Sequence, residues 1–253
     1  MVSSNPVALC ATCLVDQIMP EVGVASVKLL RRAGCQVDFP AGQTCCGQPF
    51  YNSGFQQQAA NLARRTIEIF EPYEAVVLPS GSCTSMIRLE YPHLFEGSPK
   101  WHRRARDLGA KTYELSEYLV HQLGWQPRQT SEVSKTSEVS SEMSTEVTYH
   151  DSCHMNRLLG LCDEPRQLLQ QAGCSLREME EPGRCCGFGG VFSLRLPEVS
   201  TAMTAEKLRQ TAATGAPTVV TADPGCLMQM HQLAGDEKIS IRHLAVLLEE
   251  VTR

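Results

Sequence analysis

The chain repeats itself, and this internal duplication constrains its fold more than any other feature of the sequence. Three cysteine motifs occur in the first half and again, in the same order and at a nearly constant offset, in the second: Cys13 pairs with Cys153, Cys45 and Cys46 with Cys185 and Cys186, and Cys83 with Cys226. The neighbouring residues agree, since TCCGQPF in the first half corresponds to RCCGFGG in the second. Chance does not supply three ordered matches, so the two halves are predicted to share one fold.

Each half is also predicted to alternate strands and helices. The predicted strands correspond between the halves, at 6–10, 35–39 and 75–79 in the first and at 147–151, 176–179 and 218–223 in the second. The predicted helices follow the same order, at 21–33 and 55–70 in the first half, and ending at 172 and spanning 197–214 in the second. Two further helices are predicted over 101–124.

Strands that alternate with helices form parallel sheets with helical crossovers. The predicted fold class is therefore α/β, an internal duplication of two Rossmann-like units, each with a small parallel sheet and helical crossovers. The predicted domains are a first repeat at 1–125, a linker at 126–146 and a second repeat at 147–253. The segment TSEVSKTSEVSSEMSTEV, residues 130–147, is rich in Ser, Thr and Glu and has little to bury before Val147, so it is predicted to be a disordered linker.

Twelve cysteines are unusual for the compartment that the rest of the sequence indicates. The N-terminus lacks a basic region followed by an apolar one, and no apolar run approaches the roughly 18 residues that cross a bilayer, so we expect a cytoplasmic chain without a membrane span. The net charge of −5 gives no support to nucleic-acid binding. Because a reducing cytosol disfavours disulfides, the clustered cysteines are predicted to bind metal.

In each half, the three cysteine motifs come after successive predicted strands. The loops at the carboxyl ends of parallel strands lie on one edge of a sheet, where ligands gather. Two four-cysteine centres are therefore predicted: Cys13, Cys45, Cys46 and Cys83 in the first half, and Cys153, Cys185, Cys186 and Cys226 in the second. Neighbouring side chains of a strand point to opposite faces, so each doublet requires a turn, for which Gly47 and Gly187 supply the conformational freedom.

Four thiolates suit either zinc or an iron–sulfur cluster. Zinc sites built from four cysteines usually consist of close CxxC pairs on small knuckles. Here the cysteines come singly and as a doublet, spread from Cys13 to Cys83 in one half and from Cys153 to Cys226 in the other. The wide spacing favours a larger, multi-iron centre and leaves structural zinc as an alternative.

The order of a single cysteine, the word CCG and a last cysteine, separated by long intervals and present twice, resembles the cysteine-rich CCG domain. That domain occurs in one subunit of heterodisulfide reductase, in iron–sulfur subunits of glycolate oxidase and in the lactate utilisation protein A family. The chain most resembles the last of these, on the segments CLVDQIMPEVG, GCQVDFPAGQTCCGQPFYNSG, PSGSC, HDSCH, CCGFGGVFS and TADPGC. The resemblance implies a cytoplasmic iron–sulfur protein that works with two other subunits, at least one of them also iron–sulfur, to oxidise L-lactate to pyruvate.

One departure from heterodisulfide reductase bears on the kind of cluster. There the third motif is a full CxxC, and each repeat holds a non-cubane cluster on five cysteines. Here Ser80 and Asp223 replace the first cysteine of that motif, and Asp223 is predicted to cap a loop rather than to bind metal. The resemblance then implies two ordinary [4Fe–4S] clusters with an electron-transfer role, in a chain that is not catalytic alone. A thiol–disulfide reductase subunit of the heterodisulfide type and a zinc-binding scaffold stay open as alternatives.

The remaining cysteines and His154 are not predicted to be metal ligands. Cys35 and Cys174 follow helix ends at the opposite edge of each sheet and are predicted to be buried thiols. Cys10 and Cys162 have no cysteine counterpart in the repeat and are predicted to be bystanders. His154 follows Cys153 and is a candidate proton carrier, but the first half has no matching histidine. Neither half has a GxGxxG motif, so no nicotinamide or flavin site is expected, and no catalytic residue is predicted.

Overall fold

The computed structural model describes residues 6–127, 145–235 and 239–252. The strands of the described residues are β1 Val7–Leu9, β2 Val37–Asp38, β3 Val76–Leu78 and β4 Thr112–Glu114 in the first half, and β5 Glu146–Tyr149, β6 Ser175–Leu176, β7 Thr218–Thr221 and β8 Ser240–His243 in the second. They form two parallel sheets with the orders β2-β1-β3-β4 and β6-β5-β7-β8. The same order in both halves confirms the predicted α/β class and the internal duplication.

Helices connect the strands in both halves. The helices described in the first half are α1 Cys13–Gln17, α2 Pro20–Arg32, α3 Gln48–Asn52, α4 Gln56–Phe70, α5 Gly81–Ser85, α6 Tyr91–Leu94, α7 Pro99–Gly109 and α8 Leu115–Glu117. Those described in the second half are α9 Asp163–Gln171, α10 Val191–Arg195, α11 Pro197–Ala213, α12 Pro224–Ala234 and α13 Leu244–Val251. Three π-helical segments lie at Met86–Glu90, Tyr118–Gln122 and His154–Leu159. None of these described helices combines the length and apolar character that a membrane span needs.

The paired helices α2 and α9 show why the two halves fold alike. Each of them ends at an Ala-Gly pair, where Gly34 and Gly173 adopt positive φ values of 90° and 86°. Glycine is favoured there because it reaches the left-handed region without strain. Each helix then leads directly into the edge strand of its sheet, so the repeated Ala-Gly pair places β2 and β6 equivalently.

The prediction of two connecting helices over 101–124 is wrong in part. The region contains α7, α8 and a π-helical segment, but strand β4 separates them and pairs in parallel with β3, with Val76 opposite Thr112. Strand β8 occupies the same place in the second half, beside β7. Both strands are too short to give a periodic signal, and their pairing partners lie far from them in sequence.

The predicted linker falls mainly on residues 128–144, which lie outside the described residues. The described parts on either side share one hydrophobic core. Leu9 and Leu29 of the first half pack in the same buried cluster as Tyr149 and Leu248 of the second. The two halves therefore meet through an apolar contact that excludes water, and the domain boundaries proposed from sequence stay predictions.

Polar contacts also join helix α2 to helix α13. Arg32 donates to the Glu249 carboxylate over 2.7 Å and to Thr252 Oγ over 3.1 Å, and Lys28 lies 3.4 Å from the same carboxylate. Glu249 is mostly buried, so its pairing with a guanidinium offsets the cost of removing the charge from water. These contacts hold the two halves in one relative orientation.

Candidate metal centres

All eight cysteines predicted as ligands line one cavity of about 160 Å³ between the two halves: Cys13, Cys45, Cys46, Cys83, Cys153, Cys185, Cys186 and Cys226. Strand order explains why four of them gather in each half, because each motif follows the carboxyl end of a strand. It does not explain why both sets meet in one space. That second convergence comes from the packing of the two sheets, which turns their ligand-bearing edges toward each other.

The first set forms a chain of sulfur contacts. The Sγ atoms of Cys46 and Cys83 lie 3.2 Å apart, and Cys45 accepts hydrogen bonds from the thiols of Cys13 and Cys46 and, over 3.4 Å, from the backbone N–H of Gly47. These donors lower the pKa of Cys45 to about 3, while donation to Cys45 raises the pKa of Cys13. Without a metal, the set therefore holds at least one thiolate at neutral pH.

The second set repeats this arrangement. Cys185 accepts from the thiols of Cys153 and Cys186 and from the Gly187 N–H over 3.4 Å, and these bonds lower its pKa to about 2. Cys186 in turn contacts Cys226. Four sulfurs joined by successive contacts, with one already ionised, suit a soft metal or an iron–sulfur cluster, whose ligands are thiolates.

The glycine of each CCG motif makes the turn that the doublets require. Gly47 and Gly187 both have φ of 89°, in the left-handed region. Their N–H groups point at the sulfur two residues earlier, which a regular strand would not allow. The predicted role of both glycines in the turn is confirmed.

The two glycine turns differ in how tightly they are enclosed, and this leads to a matched prediction. We expect Gly187→Ala to lower the free energy of unfolding by about 3 kcal/mol or more, because the new Cβ would lie 2.5 Å from the backbone oxygen of Ser200 as well as at positive φ. Gly47→Ala should lose only about 1–2 kcal/mol, since its Cβ would lie 3.3 Å from the Ala59 oxygen. Urea denaturation of the iron-free chains measures both, and equal losses would contradict the argument.

Ser80 and Asp223 stand where a CxxC motif would have another cysteine, and both cap helices. Ser80 Oγ accepts from the Cys83 N–H over 3.4 Å, at the start of α5. Asp223 Oδ1 accepts from the Gly225 N–H over 3.1 Å, at the start of α12. The prediction that Asp223 caps its loop is confirmed.

Asp223 also does something that the sequence did not indicate. Its second oxygen, Oδ2, accepts from the Ser82 N–H of the first half over 2.7 Å, so one buried carboxylate caps two helix starts. Gln48 extends the contact, because its amide donates to the Ser82 carbonyl over 3.0 Å and lies 3.1 Å from His154 Nε2. The two halves are thus joined by hydrogen bonds at the cavity itself.

A second matched prediction follows from the double cap. We expect Asp223→Ala to lower the free energy of unfolding by about 3 kcal/mol, because two backbone N–H groups lose a charged acceptor. Ser80→Ala should lose about 1 kcal/mol, since Ser80 caps only its own helix with a neutral hydroxyl. Chemical denaturation of the iron-free chains measures both losses, and because no metal is present, a change in metal binding does not contribute to them. Similar losses in the two variants would show that the contact with Ser82 adds nothing.

The remaining cysteines lie outside the cavity walls. Cys35 and Cys174 are buried in the core that the two halves share, as predicted. Cys10 is buried behind the first set, and Cys162 is partly exposed at the start of α9. His154 does line the cavity, and its Nδ1 lies 3.5 Å from Cys153 Sγ.

Two residues near the second set were missed as site residues. His150 has no exposed surface, and one ring nitrogen lies within 4.8 Å of the sulfurs of Cys186 and Cys226. Lys207 is also fully buried and donates to the carbonyl of Glu181 over 2.7 Å. An alignment of the two halves could have found them, because His150 and Lys207 align with residues of a different type, Cys10 and Ile67.

Comparison with known proteins agrees with the duplicated fold. A family model described as a cysteine-rich domain, CCG, matches residues 7–88 and again 147–231. The chain is 45% identical to lactate utilization protein A of Bacillus subtilis (strain 168), over 96% of this chain and 98% of that protein. It is 44% identical to lactate utilization protein A of Halalkalibacterium halodurans, over 98% of both chains.

A solved structure supports the fold alone. The chain resembles a hypothetical protein from Helicobacter pylori with a TM-score of 0.69 at 8% sequence identity. The match covers 99% of this chain but only 49% of the other, so this chain corresponds to about half of that protein. At this level of identity, the likeness extends to the arrangement of strands and helices and not to their chemistry.

Proposed function

This chain belongs to the lactate utilization protein A family of cysteine-rich CCG proteins, and from that premise we propose that it is an iron–sulfur electron-transfer subunit. In this proposal it acts within a multi-subunit complex that oxidises L-lactate to pyruvate, together with two other subunits of which at least one is also an iron–sulfur protein. The family and its paired CCG domains support a role in lactate utilisation. The cytoplasm is the proposed compartment, and peripheral contact with a membrane is compatible with the proposal.

Two [4Fe–4S] clusters are the proposed cofactors. Cys13, Cys45, Cys46 and Cys83 would hold one, and Cys153, Cys185, Cys186 and Cys226 the other. Such clusters accept and donate single electrons. The residues of the chain supply the thiolates, direct the Gly47 and Gly187 N–H groups at sulfur, and bury most of the sulfur surface away from water.

The convergence of eight sulfurs on one enclosed cavity is the observation that carries the proposal. Within the described residues, no arginine or lysine lines that cavity, so no guanidinium or ammonium group is placed there to bind the carboxylate of lactate. Both carboxylate oxygens of Asp223 already accept from backbone N–H groups. The walls therefore suit electron transfer better than proton abstraction from a hydroxy acid, and lactate is proposed to bind to another subunit.

The same contacts count against the heterodisulfide alternative. Ser80 and Asp223 occupy the positions of the extra cysteine in each half, and both side chains are engaged in capping helices. Neither residue offers a fifth thiolate. Among the residues that the structure describes, no contact specifically favours a thiol–disulfide reductase. A zinc-binding scaffold would use the same cysteines, so the identity of the bound metal distinguishes it from the main proposal.

The decisive experiment is metal analysis with EPR on the full chain, purified without oxygen both alone and with its two partner subunits. We expect a coloured protein with about eight irons per chain. Lactate should reduce the centres only in the complete complex. A colourless chain with stoichiometric zinc would support the scaffold, and reduction of the isolated chain by lactate would show that the chain is itself catalytic.

A further inference from the structure

The two cysteine sets have closely matching geometry, yet the side chains behind them differ in charge. The first difference lies directly after the first strand of each half. The Cys10 N–H donates to the Val77 carbonyl over 3.0 Å, and the His150 N–H donates to the Val220 carbonyl over 2.8 Å. These equivalent backbone bonds show that His150 occupies the place of Cys10.

His150 is a buried imidazole that lies close to the second set and to Lys207. The carbonyl of Pro182 is near, but neither ring nitrogen makes a hydrogen bond of good geometry among the described residues. One ring nitrogen lies within 4.8 Å of the sulfurs of Cys186 and Cys226. His150 does not line the cavity, so it approaches these sulfurs from behind.

The protonation state of His150 makes it a donor of hydrogen bonds without a net charge. Burial and the nearby Lys207 lower its pKa to about 3, so the ring is neutral at pH 7 and carries one N–H. A buried N–H without an acceptor is unfavourable, because burial has removed its hydrogen bond to water. The sulfurs of Cys186 and Cys226, within 4.8 Å, place this N–H group close to the second set without a direct hydrogen bond.

The second difference lies on the helix that follows each CCG motif. Lys207 of α11 stands where α4 has Ile67, at the same offset that relates Cys45 to Cys185, and both side chains are fully buried. The Lys207 amine donates to the carbonyls of Glu181 and Pro182 over 2.7 and 3.2 Å. Burial lowers its pKa to about 8, so the amine still carries its proton at pH 7.

Lys207 is close enough to the second set for its charge to matter. Lys207 interacts electrostatically with the side chains of Cys186 and Cys226. The Asp151 carboxylate also acts on Lys207, and it forms a bidentate pair with Arg166 over 2.8 and 3.0 Å. Arg166 also donates to the Glu178 carboxylate over 2.7 and 3.0 Å, so the charge of Asp151 is paired, and the hydrogen bonds of Lys207 itself go to uncharged carbonyl groups.

We propose that His150 and Lys207 give the centre of the second half a higher reduction potential than the centre of the first half. The proposal rests on the proposed function, because it requires a redox-active cluster on each set. Reduction adds negative charge, which a buried cation and an N–H group close to the sulfurs both stabilise. The first half offers only the Cys10 thiol and the apolar Ile67 at the same positions. His150 and Lys207 are thus positioning residues that tune one centre, and neither is a ligand.

Anaerobic redox titration of the loaded full chain, followed by EPR, tests the proposal. Wild type should show two midpoint potentials. Cys185→Ser should lose the higher one and Cys45→Ser the lower one. The opposite assignment, or one common midpoint for both centres, would overturn the proposal even if no variant of Lys207 folds.

Substitution of the two residues then tests their part directly. Lys207→Gln and His150→Cys, which introduces the residue of the first half, should each lower the higher midpoint and leave the lower one in place. We expect at least a tenfold fall in the equilibrium constant for reduction, which is about 59 mV for a one-electron couple. Cys10→Ala, at the matching position of the first half, should not move the higher midpoint.

The remaining outcomes separate the two proposals. If His150→Cys or Lys207→Gln keeps its iron and leaves the higher midpoint unchanged, the tuning role is wrong and the iron–sulfur function stands. Loss of half the iron in His150→Cys would make His150 a ligand and would also overturn the tuning role. A wild-type chain that binds no iron under these conditions contradicts the proposed function itself.

Discussion

Cys45→Ser is expected to remove about half of the iron from the anaerobically purified chain and to leave the other half bound. Cys45 is the sulfur that the Cys13 and Cys46 thiols and the Gly47 N–H all contact, so its loss disrupts the whole first set. Cys185 has the same position in the second set, and Cys185→Ser should remove the other half. Iron analysis together with the visible absorption of each purified variant measures the effect.

Two further variants serve as controls for this prediction. Cys162→Ser should keep the full iron content, because this thiol is partly exposed at the start of α9 and does not line the cavity. The double variant Cys45→Ser/Cys185→Ser should bind essentially no iron.

Because all eight sulfurs share one cavity, a single larger centre is the alternative that must be tested. Complete loss of iron from either single variant would support that alternative against two separate centres.

The gathering of each set of four cysteines follows from the sequence because topology alone determines it. Parallel strands bring their carboxyl ends to one edge, so residues as far apart as Cys13 and Cys83 meet without any specific long-range signal. The turns at Gly47 and Gly187 could be predicted for a similar reason, since two adjacent cysteines cannot both face one centre from a regular strand.

Other features depend on packing that has no local signature. Strands β4 and β8 have only three and four residues, and their pairing with β3 and β7 becomes apparent only in the folded sheet. The contact of Asp223 with Ser82 joins residues 141 positions apart, and nothing in the pattern of either loop indicates it. The shared cavity has the same origin, because it arises where two separately predictable edges face each other.

His150 shows a different limit of sequence reasoning. Identical residues reveal the repeat, so they identify what the two halves have in common and pass over what distinguishes them. Cys10 and His150 differ in type, and so do Ile67 and Lys207, although each pair occupies equivalent positions. In a duplicated protein with two similar centres, such unlike pairs are where a functional difference between the halves is to be sought.

Removal of the metal is expected to lower the thermal stability of the whole chain and not of one half. Ligand binding to the folded state alone adds to the free energy of unfolding, and about 4 kcal/mol corresponds to a ligand present at 1,000 times its dissociation constant. For a chain of this length, such a loss lowers the melting temperature by roughly 10 °C. The comparison is between loaded protein and protein treated anaerobically with a chelator, both followed by calorimetry.

The two halves should respond together because the contacts around the cavity cross between them. Asp223 binds the Ser82 N–H, Gln48 reaches His154, and a Cβ on Gly81 would lie 2.1 Å from the Met155 side chain. Iron removal should therefore increase amide hydrogen exchange in strands β1 and β5 alike. Cys45→Ser, which is expected to retain one centre, should melt at an intermediate temperature and still in one transition. Loss of protection confined to one half, or two separate transitions, would show that the shared core does not couple the two halves.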